Sequence, residues 1–154
     1  FRPRRMARYF DDFSVGDRVG SESAEIREEE IVAFARRYDP QPFHIDHEAA
    51  SASPYGGLIA SGFHTLSFGF RLFVDTGAIA DCGMGSPGVE AIRWLAPVRP
   101  SDILRTEAEV AAMRPSGSDP GRGVLTMDFS VINQDDTAVL TMRSVVLVRR
   151  QARG

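Results

Sequence analysis

The stretch from Ser61 to Val74 limits the possible folds more than any other part of the chain. Phe63, Leu66, Phe70 and Phe73 recur at helical spacing, while Phe68 and Leu72 fall outside that stripe. A helix that is apolar on most sides is a buried helix, so the rest of the chain has to build its enclosure. Ser61-Gly62 starts the helix and Asp75-Thr76-Gly77 ends it. Downstream, Val89 to Leu95, Ile103 to Ala112, Val124 to Asn133 and Val139 to Arg149 read as four strands, β-branched and separated by Pro, Gly, Asn and Asp. Upstream, Val15 to Ile26 reads as a first strand. Acids at 28–30 then suit the first turn of a helix, and Ile31, Phe34, Ala35 and Tyr38 form its apolar face. Pro40 disfavours the helical region for Asp39 and should stop that helix. The expected class is α+β, an antiparallel sheet packed around one central helix.

At 154 residues this is one domain, large enough to bury a core without a staple. One cysteine, Cys82, rules out an intrachain disulfide and Cys-rich zinc sites, and its neighbours offer no acid–base partner for a nucleophile. All 18 cationic side chains are arginines, so Schiff-base, phosphate-loop lysine and Ser–Lys chemistries are excluded. A formal net charge of −3 argues against nucleic acid as a partner. No apolar run approaches the roughly 20 residues of a membrane-spanning helix, and no secretory signal is expected at the basic start Phe1-Arg2-Pro3-Arg4-Arg5-Met6. A cytoplasmic location is the expectation. Arg114 to Gly121, rich in turn formers, reads as a long hairpin loop.

Chemistry concentrates in Asp39-Pro40-Gln41-Pro42-Phe43-His44. A carboxylate and an imidazole lie five residues apart, and the two prolines stiffen the chain between them. Such a loop can hold a water in position for acid–base work. It can equally be a helix end capped by Asp39 with His44 as a half-buried ring. Further on, Gly56-Gly57 permits close backbone approach, and Ser61 is a suitable N-cap. The amides of Gly62, Phe63 and His64 would then greet a partial negative charge, unless the segment is simply an ordinary capped helix start.

Asp39-x-x-Pro42-x-His44, Gly57-Leu58-Ile59-Ala60-Ser61-Gly62 and Arg93-Trp94-Leu95-Ala96-Pro97-Val98-Arg99-Pro100-Ser101-Asp102 together resemble the MaoC-like dehydratase family, which includes (R)-specific enoyl-CoA hydratases. The likeness runs from about Phe10 to Val148. It implies a hotdog fold over residues 10–150, with 1–9 as an N-terminal arm and 151–154 as a tail. It also implies a homodimer, or a larger assembly of dimers, with active sites at the subunit interface. On matching positions, Asp39 and His44 would hold and activate water, and the Gly62 amide would polarise a thioester carbonyl. The substrate would be an acyl-CoA thioester, a trans-2-enoyl-CoA giving a (R)-3-hydroxyacyl-CoA, with no metal and no cofactor. Two departures stand out: Gln41 where relatives often carry Asn, and Ser61 where many have His.

Other residues divide between roles. His64, in the first turn of the central helix, is a candidate for lining the site beside Ser61, or a core histidine. Arg93 and Arg99 suit coenzyme A phosphates or surface ion pairs. His47 is expected to be solvent-facing at the start of a short helix, because His44, Asp46 and His47 crowd too closely for a tetrahedral metal site. Met84, Phe63, Phe68, Phe70 and Phe73 read as core or as an acyl tunnel. The competing functions are a hotdog acyl-CoA thioesterase and a non-catalytic acyl-CoA binding module. The first is disfavoured because Gly62 to Val74 contains no acid, the second because Asp39 and His44 are both present.

Overall fold

The computed structural model describes residues 8–151, so most of the expected arm at 1–9 and of the tail at 151–154 lies outside the described residues. After a single 3-10 turn at Phe10–Asp12, the elements are β1 (Arg18–Gly20), β2 (Ala24–Glu25), α1 (Glu28–Tyr38), α2 (Pro42–Ile45), α3 (His47–Ser51), α4 (Gly62–Asp75), β3 (Gly88–Trp94), β4 (Ile103–Pro115), β5 (Arg122–Ile132) and β6 (Ala138–Arg149). The strands form an antiparallel sheet in the order β1-β4-β5-β6-β3, with β2 also paired to β4. This is the hotdog arrangement, a sheet curled over one long helix.

Period-two burial makes the sheet's inner face. Leu104, Ala108 and Val110 on β4, Leu125, Met127, Phe129 and Val131 on β5, and Leu140, Met142, Val146 and Val148 on β6 are all buried. α4 lies against this face through Gly69. The Gly69 carbonyl accepts a 2.7 Å hydrogen bond from Thr106 Oγ1 on β4, and a Cβ at Gly69 would run into Val131 on β5. The missing side chain therefore sets how deep the helix seats. One turn on, Phe73 meets Phe129 edge-on, with ring centroids 4.9 Å apart.

Three expectations change. The first strand is two short ones, because Ser21 breaks the ladder. Its N–H donates to Thr106 O at 2.9 Å, and its Oγ accepts from Thr106 N at 2.8 Å. The turn-rich stretch from Arg114 is partly strand, with Arg114 and Pro115 still paired to β5. Finally, α4 is not covered all round: Phe63, Phe70 and Val74 are 59%, 39% and 41% exposed, and Met84 is exposed too, whereas Phe73 is buried. The sheet curls over one side of α4, and the described residues supply nothing for the stripe opposite. The edge strand β3 is also largely bare, and it carries a bulge between Glu90 and Arg93 where Ala91 takes φ 53°.

Substituting Gly69→Ala should destabilise the fold by about 1–3 kcal/mol, the usual cost of overpacking. Chemical denaturation checks this, and an unchanged midpoint would contradict the seating of α4 described here.

Candidate active site

The site begins where α1 ends. Glu28, Glu29 and Glu30 occupy its first turn, Arg36 and Arg37 its last, and Ile31 and Ala35 face the core. The Asp39 amide still donates to Ala35 O at 2.8 Å, but Pro40 cannot continue the helix. Pro42 then opens α2, a single turn, as proline does at a first helical position. That turn aims His44 inward until it is buried. The next strap, Leu58-Ile59-Ala60, is buried and leads directly into α4. It is fixed from both sides, since Ile59 N donates to Phe43 O at 3.3 Å and Ala60 N donates to Val98 O at 2.8 Å.

His44 bridges these pieces. Its Nδ1 lies 2.7 Å from Ile59 O. A carbonyl only accepts, so Nδ1 carries the hydrogen. Nε2 is thereby aimed at Asp39 Oδ2, 3.2 Å away, with 5% and 17% of the two side chains exposed. With Nδ1 protonated, neutral imidazole and ionised carboxylate face each other as two acceptors. They are satisfied by one shared proton, or by a water donating one hydrogen to each. The other carboxylate oxygen, Oδ1, accepts from Gln41 Nε2 at 2.6 Å. Burial pushes the Asp39 pKa up. The Gln41 hydrogen bond, the Ser61 hydroxyl and the charge and hydrogen bond of His44 together outweigh that, and hold it below the usual carboxylate value.

Asp39 and His44 open onto a cleft of about 550 Å³, walled also by Gln41, Phe43, Tyr55, Gly62, Phe63, Thr65 and Trp94. Gly62 is tightly held there. Its carbonyl accepts from Trp94 Nε1 at 2.8 Å, and a Cβ at Gly62 would lie 2.5 Å from that nitrogen. Only glycine lets the indole lie across the start of α4.

The other expected site residues are placed differently. Ser61 does not cap α4 through its side chain. Its fully buried hydroxyl helps to lower the Asp39 pKa but completes no hydrogen bond of full geometry. The His64 amide is not free, because it donates to Ser61 O at 3.0 Å. That leaves Gly62 and Phe63 ahead of the first helical bond. The His64 ring is absent from the cleft wall; it is buried and stacked on Phe34 at 4.7 Å, and burial pushes its pKa down. Arg99 lies outside the cleft wall, where its Nη2 donates to Tyr55 O at 2.5 Å and its amide donates to Asp102 Oδ2 at 2.9 Å. Arg93 is exposed on β3. His47 opens α3, exposed, 2.9 Å from Glu28. Trp94, Tyr55 and Phe43 are cleft residues that sequence reasoning did not single out. The one signal was for Trp94, the chain's only tryptophan, standing inside a recognisable segment.

Residues 12–127 match the MaoC like domain family. Among solved structures, the MaoC-like dehydratase from Rhodospirillum rubrum superposes with a TM-score of 0.88 at 38% identity, over 96% of this chain and all of that one (100%). The uncharacterised protein YdeM of Bacillus subtilis is 32% identical over 91% of this chain and 98% of its own length. The 3-hydroxybutyryl-CoA dehydratase of Methylorubrum extorquens is 29% identical over 73% of this chain and 70% of its own. No helix among the described residues is long and apolar enough to cross a membrane.

Gly62→Ala should push the indole off the helix start and break its bond to the Gly62 carbonyl. Because Trp94 is the only tryptophan, the emission maximum should move, with a loss of about 1–3 kcal/mol of stability from overpacking. Unchanged fluorescence and melting would contradict this packing.

Proposed function

The chain belongs to the MaoC-like domain family, and from that premise we propose that it adds water reversibly to a trans-2-enoyl-CoA thioester, giving a (R)-3-hydroxyacyl-CoA. The observation that carries this reading is the pairing of Asp39 Oδ2 with His44 Nε2 at 3.2 Å on the wall of the cleft. A water seated against both atoms donates one hydrogen to each and turns a lone pair outward. Asp39 takes one proton as the water oxygen bonds to C3 of the enoyl group. The π electrons move onto the thioester as an enolate, and the Gly62 amide stabilises the developing charge at the oxygen. The proton held by the pair then passes to C2, so one water is added and none of its atoms is lost. Dehydration is the same path reversed. The curated relative named a 3-hydroxybutyryl-CoA dehydratase supports the choice of a CoA thioester. The scheme uses side chains and backbone alone.

A thioesterase would cut the same substrate with an acid on the central helix. Gly62 to Val74 has none, and Asp75 at the far end is paired with Arg71 at 2.9 Å. The acyl-CoA partner is joined in this reading by a second copy of the chain. The exposed Phe63, Phe70 and Val74 and the bare β3 edge support a homodimer, with the cleft closed by its partner.

With a short 2-enoyl-CoA, the conjugated absorbance should fall without release of free thiol. Asp39→Asn and His44→Ala should each lower turnover by roughly 10²–10⁴-fold, the contribution of a positioned acid or base, with the fold intact. Wild-type rates in either variant would sink the assignment, and thiol release would turn it into a thioesterase. Because the Asp39 pKa is depressed, its base form persists as pH falls through the ordinary carboxylate range. The Asp39 carboxyl midpoint, read by carbon-13 NMR, should therefore lie below the usual carboxylate value, and a midpoint at or above that value would contradict the hold on Asp39 described here. Sedimentation equilibrium should give twice the chain mass; a stable monomer with full activity would remove the partner from the site.

A further inference from the structure

Gln41 touches the carboxylate on which the proposed chemistry turns. Gln41 is flanked by Pro40 and Pro42, so its backbone has little freedom. It holds Asp39 twice: its amide donates to Asp39 O at 2.8 Å, and its side-chain Nε2 donates to Asp39 Oδ1 at 2.6 Å. The side chain is exposed on the cleft wall rather than built into the core, so packing does not explain where it points. Oδ2 is left facing His44 Nε2.

We propose that Gln41 is a positioning residue which, by occupying Oδ1 of Asp39, assigns proton transfer to Oδ2 alone and so fixes where the reacting water sits. The inference rests on the hydratase reading for its consequence, though the hold of Gln41 on Asp39 is independent of any substrate. With Oδ1 occupied, the carboxylate cannot turn its other oxygen to the water, and the water must bridge Oδ2 and Nε2. Without Gln41, the carboxylate gains a second acceptor of nearly equal standing and loses a donor that favours its ionised form.

Two variants test this. Gln41→Leu removes the donor, and Gln41→Glu keeps the length but puts an acceptor there; an exposed position tolerates both without unfolding. The Asp39 carboxyl is titrated by carbon-13 NMR in each protein, and steady-state hydration of crotonyl-CoA is measured beside it. The expected result is an Asp39 midpoint that moves upward in Gln41→Leu and further in Gln41→Glu. With it, kcat should fall by about tenfold or more, as for a catalytic group out of place, with KM little changed. An unmoved midpoint overturns the proposal. So does a raised midpoint with unchanged kcat in an active enzyme, since Gln41 would then touch Asp39 without positioning it. Should the wild-type protein not hydrate the thioester while the midpoints still shift, the proposed function fails and the hold of Gln41 on Asp39 stands.

Discussion

The hydrogen bond between His44 Nδ1 and Ile59 O, 2.7 Å long and buried, is the contact on which the rest of the site depends. It decides which imidazole nitrogen carries the hydrogen and therefore which one meets Asp39. It also ties the motif turn to the strap that feeds α4. Ile59 and Ala60 bond on either side to Phe43 and Val98, so three separate stretches of chain share one short buried segment. Losing one buried partner there would strand another polar group out of reach of water. The strap, the imidazole and the helix start are positioned together, and the Gly62 amide inherits its place from the same bonds that orient His44.

Two glycines on α4 link this site to the sheet. Gly69 lets the helix seat against Thr106 and Val131, and Gly62, two turns earlier, lets Trp94 cross its first residue. β3 ends at Trp94, so the edge of the sheet delivers a wall of the cleft. The electrostatics follow a similar economy. On the sheet, Asp128 is held down by a two-point bond from Arg143, at 2.7 and 3.0 Å. Asp39 is held instead by neutral donors and an imidazole. A guanidinium would pin a carboxylate as a permanent ion pair, whereas these partners favour the charge and leave one oxygen able to accept and return a proton.

Much of the fold was legible because long elements carry strong periodicity. The end of α1 before Pro40, the start of α4 at Gly62 and the four later strands sit within a few residues of where the apolar pattern puts them. The first strand was misread because its break depends on a serine side chain bonding Thr106, more than eighty residues away. The exposed stripe of α4 was misread because periodicity reports how apolar a face is, not what covers it. Within the site, Asp39, His44 and Gly62 could be found from residue type and spacing. The positions of Ser61, His64 and Arg99 could not, since each was settled by local geometry: a buried hydroxyl that does not cap α4, a ring drawn onto Phe34, a guanidinium taken by Tyr55 O. Pro42 at the head of α2 was a readable signal of a helical turn, hidden by reading two prolines only as stiffness.

In the proposed reaction, one carboxylate–imidazole pair adds water across the double bond and leaves the thioester whole. Its most direct test is to run the reaction on crotonyl-CoA in heavy water and to analyse the product by mass spectrometry and chiral chromatography. The expected product is intact (R)-3-hydroxybutyryl-CoA with a single deuterium on C2. Free coenzyme A with an unhydrated acid, or a product of mixed configuration at C3, would contradict it.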